Sequence, residues 1–185
     1  MTATSAAASL RRLYFIRAAF ALVWAVLVGV TAAEIGPVSI ALLVLYPLFD
    51  VGAAVVDARA SKQSQNVMGL YLNIVVSLLA AAGIAVAVSG SGIPGVLRVW
   101  GAWAIVSGLV QLAVGIGRRK MGGQWPMILS GALSVGAGSS FILMASKPDA
   151  SLTSVAGYAA LGGIFFLVSA IRLGTAAKKN AAIPA

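Results

Sequence analysis

Six long apolar runs make up most of this chain, separated by short breaks that are rich in glycine, proline or charge. The runs lie at about 17–33, 38–58, 67–88, 95–116, 124–145 and from Asp149 to near Thr175. Each is roughly the twenty residues an α-helix needs to cross a hydrocarbon layer about 30 Å thick. Two kinds of break alternate. Glu34–Pro37, Ser89–Pro94 and Ser146–Asp149 are tight turns marked by Pro37, Pro94 and Pro148. Arg59–Asn66 and Gly117–Gly123 are polar and basic instead.

The alternation carries a longer period of roughly 55 residues. Aligned on the prolines, Tyr46 and Asp50 match Trp103 and Ser107, then Tyr158 and Gly162. On the preceding runs Arg17, Asn73 and Ser130 match. The pattern predicts an all-α integral membrane six-helix bundle built from three parallel helical-hairpin repeats, about 11–60, 66–121 and 124–176. Together they form a single transmembrane domain over 1–185, with short disordered tails at 1–10 and 177–185. Parallel hairpins differ from the inverted repeats of many secondary transporters, and pseudo-threefold packing about the membrane normal is expected. Small residues recur every fourth position on the first helix of each hairpin: Ala21, Ala25, Gly29 and Ala33; Ser77, Ala81, Ala85 and Ser89; Ser130, Ser134 and Gly138. Such ridges let helix backbones approach in lipid, which places these three helices nearest the axis.

Composition agrees with a lipid solvent. The chain is 61% hydrophobic and 9% charged, against about 25% charged in soluble domains. Six crossings use nearly all of its 185 residues, so no room remains for a soluble domain. The net charge of +9 does not point to nucleic acid, because the basic residues follow topology rather than one amphipathic face. Arg11, Arg12, Arg17, Arg59, Lys62, Arg118, Arg119, Lys120, Arg172, Lys178 and Lys179 fall at the two ends or in the second and fourth connections. The other connections carry Glu34, Lys147 and Asp149, with Arg98 just inside the fourth span. The positive-inside bias then puts both termini in the cytoplasm of a multi-pass inner (plasma) membrane protein. Trp100, Trp103 and Tyr158 toward the outer ends, and Tyr14 and Trp125 toward the inner ends, suit interfacial anchoring, although Trp24 and Trp103 are also candidates for burial.

Cysteine and histidine are both absent, which removes disulfides, thiolate chemistry, imidazole bases and the usual zinc and haem ligands. With four acids in all and no phosphate-binding loop, no catalytic constellation can be assembled, and no enzyme activity, cofactor or metal is expected. Intramembrane charge is the remaining candidate chemistry. Asp50 lies about 20 Å of helical rise beyond Pro37, and a carboxylate at that depth needs a partner, a proton or water. Asp57, seven residues on, shares its face of the helix. Arg17 on the neighbouring run lies between the two in depth, so Arg17, Asp50 and Asp57 form a candidate intramembrane charged site. Three readings stay open: a static pair that sets helix register, a proton-sensitive or ion-guiding site, or side chains that snorkel with no defined partner. Glu34, Arg98 and Asp149 are placed to form an outer-rim ion pair. Arg118, Arg119 and Lys120 form a topology determinant and a contact for anionic lipid head groups.

The stretches Gly101-Ala-Trp-Ala-Ile-Val-Ser-Gly108 and Trp125-Pro-Met-Ile-Leu-Ser-Gly-Ala-Leu-Ser134, together with Tyr46-Pro-Leu-Phe-Asp50, resemble the HdeD-like acid-resistance membrane protein family. The likeness covers nearly the whole chain and rests on apolar and small-residue patterns. It implies a non-enzymatic bacterial inner-membrane protein with a role in acid or envelope stress tolerance. That family often has an acid early in a repeat's first helix, where this chain has Arg17, Asn73 and Ser130. Two further functions fit the residues: a small channel or transporter using the charged site, and a lipid-binding or assembly scaffold. The partners expected are membrane lipids, anionic on the cytoplasmic side, and a second copy of the chain or another membrane protein.

Overall fold

The computed structural model describes residues 3–32, 34–60, 67–117 and 125–181. They form six helices: α1 (Ala3–Val30), α2 (Pro37–Ala60), α3 (Val67–Gly90), α4 (Gly92–Gly117), α5 (Trp125–Met144) and α6 (Thr153–Ala181). Five contain stretches of 22 or 23 residues long and apolar enough to cross a membrane. The apolar stretch of α5 is shorter, Ile128–Met144, yet the 20 residues of that helix still rise about 30 Å. The protein is therefore a multi-pass helical bundle. Its outer surface is apolar, with Val23, Val26, Val30, Met68 and Val86 all at least 60% exposed, as expected of side chains whose solvent is lipid.

Local chemistry sets the helix ends. Pro37 opens α2, where its missing N–H costs nothing. Behind it the Ser39 hydroxyl accepts from the Gly36 N–H at 2.9 Å and donates to the Glu34 carbonyl at 3.0 Å, which ties the α1–α2 turn. Between α3 and α4 the chain reverses almost without a loop, and Gly92 takes the left-handed conformation the reversal needs, with φ at 57°. Ser151 holds the start of α6 by accepting from the Thr153 N–H at 3.2 Å.

Within the tails expected to be disordered at 1–10 and 177–185, residues 3–10 and 177–181 are helical, while residues 1–2 lie outside the described residues. Helix α1 already begins at Ala3 and α6 runs on to Ala181. Alanine is the strongest helix former and is frequent in both segments, so each helix continues past its apolar run. Residues 182–185 lie outside the described residues.

Packing follows a closed ring in which α1 lies on α2, α2 on α3, and so on to α6 on α1. The expectation that α1, α3 and α5 meet at the axis is not met, because no contact of note joins those three. Close approach occurs instead between ring neighbours. Gly101 faces Gly138 and Gly108 faces Gly131, so closely that a methyl on Gly101 would lie 2.6 Å from the Gly138 carbonyl oxygen and one on Gly108 2.7 Å from that of Gly131. On the opposite side Gly163 takes the Leu22 side chain and Gly29 lies next to Ala156. Small residues do bring helices together here, but in the wall of the ring rather than at its centre.

Along its axis the ring has two different halves. The half next to the α1–α2, α3–α4 and α5–α6 turns, the turn end, is solid: Val28, Leu43, Ile84, Val96, Leu97, Leu152 and Val155 are fully buried there. The half next to both termini, the termini end, is hollow.

Candidate functional site

Aromatic rings close the hollow half off from the solid one. Trp24 stacks on Trp100 with ring centroids 5.4 Å apart. Tyr46 meets the edge of Trp24 at 4.6 Å, and Trp103 meets Trp100 at 5.0 Å. Trp100 is completely buried and Trp103 nearly so. The interfacial placement expected of Trp100 and Tyr158 is thus corrected, and of the two placements open to Trp103 the structure takes burial: these rings gain more by filling the ring's centre, where large flat side chains bury the most surface. Trp125 does lie at the surface, 76% exposed. Pro47 in α2 has no N–H to give the Leu43 carbonyl, and one residue earlier the Trp24 indole donates to the Leu42 carbonyl at 2.7 Å. This bond fixes the first ring of the floor to α2.

Above this floor lies a cavity of about 320 Å³ to which all six helices contribute. It runs from the level of Tyr46, Trp103 and Tyr158 to that of Leu10, Asp57 and Pro126 near the termini end. All nine positions matched along the sequence line it: Arg17, Asn73 and Ser130; Tyr46 and Asp50; Trp103 and Ser107; Tyr158 and Gly162.

The charged part of the wall is one tightly held cluster. Asp50 is buried, and its Oδ1 accepts from Nη2 of Arg17 in an ion pair. Its Oδ2 accepts from Asn73 Nδ2 at 2.6 Å and from the Ser77 hydroxyl at 2.9 Å. The Ser77 oxygen in turn accepts from Trp103 Nε1 at 3.0 Å. The guanidinium carbon of Arg17 lies 4.4 Å from the ring centroid of Phe166, which adds a cation–π contact on its far side. One cationic partner and two neutral donors together satisfy the buried carboxylate, which lipid or an apolar core would leave without partners. Of the two acids offered to Arg17 by the sequence, Asp50 takes the pair. Asp57 lines the same cavity nearer the termini end, on the face of α2 expected for it.

A parallel bond appears one hairpin on. Tyr158 and Ser134 lie 2.9 Å apart, the hydroxyl of Tyr158 donating, and Ser134 donates to the Ser130 carbonyl at 2.9 Å. Trp103 with Ser77, and Tyr158 with Ser134, thus make the same aromatic-to-serine bond between the two helices of their hairpins. Ser77 and Ser134 read as packing residues in the sequence, and the structure uses them as hydrogen-bond partners. Their signal was present: hydroxyls, an amide and an acid at matched positions inside apolar helices are costly in lipid and face a protein interior when they occur. Among the described residues two buried polar atoms are without partners, Trp100 Nε1 and the Ser107 hydroxyl. Each carries a desolvation cost of about 1–3 kcal/mol, and the Ser107 side chain belongs to the cavity wall.

Other candidate residues are not drawn together. Glu34, Arg98 and Asp149 are all exposed and no ion pair joins them. Arg98 occupies the outward face of α4 with Ala102 and Val106, while Val96, Leu97 and Trp100 take the inward face. In addition, exposed ions gain little from pairing. Arg118, Arg119 and Lys120 lie outside the described residues. Among the described residues no group of three acids could hold a metal ion. The cavity wall thus combines the Arg17–Asp50 ion pair, the carboxylate of Asp57 nearer the termini end, several hydroxyls and amides, and aromatic surface. No protein-family model, no curated protein and no solved structure matches this chain.

Proposed function

We propose that the protein is a non-enzymatic membrane protein that binds a small solute in its central cavity and passes it toward the compartment facing its termini, as a channel or transporter closed at the turn end. One observation carries this reading: polar side chains from all six helices converge on a common space of about 320 Å³. In a chain of this composition those groups have lipid as their alternative surroundings, so a shared polar interior has to serve something polar. The ion pair gives the site a fixed polar point, and the aromatic floor blocks the path beyond it.

The absence of native cysteine makes the test direct. Ser107→Cys in reconstituted vesicles is expected to react with a charged, membrane-impermeant thiol reagent added on the side of the termini and not on the other. Failure to react from either side would remove the vestibule. Orientation is part of the proposal: the basic residues favour both termini in the cytoplasm of a bacterial inner membrane, with Arg118, Arg119 and Lys120 against anionic head groups.

The role in acid or envelope stress tolerance belongs to the same proposal and is supported by the resemblance to HdeD-like proteins. Asp50 gives that role a candidate residue, since its ion pair with Arg17 lines the cavity. Survival of a deletion strain after an acid shift, complemented by the wild-type gene or by Asp50→Asn, tests it. Equal survival of all strains at every pH counts against the stress role.

A further inference from the structure

Resting on the vestibule reading, we propose that the cavity also opens sideways into the bilayer between α5 and α6, and that through this seam it takes up a small uncharged amphiphile, a hydrogen-bonding head on an apolar body.

The ring wall is uneven. The α4–α5 and α1–α6 contacts are the most extensive in the bundle, drawn close by facing glycines in the first and by Gly163 against Leu22 and Gly29 against Ala156 in the second, whereas α5 and α6 touch least of all the neighbouring pairs. Where the seam is closed, it is closed toward the turn end. The Tyr158–Ser134 hydrogen bond lies there, and beyond it Phe141 meets the edge of the Tyr158 ring at 5.6 Å. Nearer the termini end no such bridge follows among the described residues. Of all the side chains that line the cavity, two are exposed: Leu133 on α5 and Leu161 on α6, each at 40%. They lie one residue from Ser134 and three from Tyr158, immediately past the closed part of the seam. Gly162 beside them lines the cavity with nothing within 4 Å of where its Cβ would be. The wall is therefore thinnest at mid-bilayer depth, and the residues that frame the thin place are leucines, matched to lipid.

The interior defines what could enter. Arg17 and Asp50 neutralise each other and Asp57 lies about two turns nearer the termini end, so a charged head at the depth of Ser107 would arrive without a counter-ion in a low-dielectric space. The Ser107 side chain lines the cavity and its hydroxyl has no partner among the described residues, so rotation about χ1 toward an alcohol, amide or phenol would give it one. Phe165 and Phe166 on α6, with Leu133 and Leu161, offer the apolar body a wall of its own. A head reaching Ser107 and a short chain leaving between the two leucines fits the arrangement, and a two-chain phospholipid exceeds the space.

The test uses an eight-carbon alcohol carrying a diazirine, added to proteoliposomes of the full chain and photolysed. Adducts are expected on Leu133, Leu161, Phe165 or Tyr158, suppressed by excess unlabelled octanol. Gly162→Trp, whose ring would occupy the empty space, should lower this labelling about tenfold. Should that variant fail to fold, saturable competition in the wild-type protein still decides the matter. Adducts confined to lipid-facing positions such as Val23 and Val86, with no effect of competitor, would overturn the proposal. If Ser107→Cys nonetheless reacts with the water-soluble reagent, the seam falls and the vestibule stands. If neither occurs, both fall.

Discussion

Trp103 donates its indole N–H to Ser77 at 3.0 Å, and Ser77 donates its own hydrogen to Asp50 at 2.9 Å. The serine thus joins the aromatic floor of the cavity to its ion pair, so that a ring on α4 and a carboxylate on α2 are held in register through α3. Ser77→Ala would leave the Trp103 N–H without a partner and remove one of three donors to Asp50. A loss of about 1–3 kcal/mol is expected. Ser134→Ala should cost less, because Ser134 donates to the Ser130 carbonyl and no carboxylate depends on it. Thermal unfolding in mild detergent, with Trp emission as a second signal, compares the two.

Breaking the ion pair from one side should be worse than removing it altogether. Arg17→Ala leaves a buried carboxylate with neutral donors alone, a change of about 3–5 kcal/mol in comparable settings. Arg17→Ala combined with Asp50→Asn takes away the uncompensated charge and is expected to recover a large part of that loss. Apparent melting temperatures of the single and double variants measure it. A double variant no more stable than Arg17→Ala would show that the pair is not the dominant contribution of Arg17, and would shift attention to its contact with Phe166.

The α4–α5 contact should be intolerant of a single methyl group. In Gly131→Ala the new carbon would lie 2.8 Å from the Gly108 carbonyl oxygen, and backbone cannot step aside as a flexible side chain would. The expected cost is about 1–3 kcal/mol or more. Gly136→Ala on the same helix meets nothing within 4 Å and serves as the control, expected to be neutral or slightly stabilising. Unfolding of the two variants side by side separates packing from helix propensity.

Gly92→Ala places a side chain at φ 57°, a conformation that costs an L-residue about 1–2 kcal/mol. Gly92→Asn should lose less, since asparagine tolerates that region better. Both effects are expected in the melting temperature of the purified protein, with the helix content unchanged.

The helices and the turns were legible along the chain because their causes are local. An apolar run of about twenty residues must be a helix in lipid, where every backbone N–H and C=O has to be satisfied within the segment. Pro37 opens α2 and Gly92 reverses the chain for reasons carried by those residues alone. The polar positions that matter were legible too, since Arg17, Asp50, Asn73 and Ser107 stand out in apolar surroundings and recur at matched places. What they meet was not legible. Ser77 and Ser134 have the small size of packing residues and the hydroxyl of a hydrogen-bond partner, and only their neighbours decide which property is used.

Sequence alone determined a membrane-crossing chain of six helices with its polar residues at chosen depths. Tertiary structure decided that small residues close the wall of a ring instead of filling its axis, that Trp100 leaves the interface to join Trp24 and Trp103 at the centre, and that Arg17 pairs with Asp50. The physical reason is one of range. Hydropathy and backbone geometry act within a few residues, whereas helix packing in lipid depends on which surfaces fit across the bundle. Between α4 and α5 that fit is set by two pairs of facing glycines, each pair drawn from residues at least 23 positions apart.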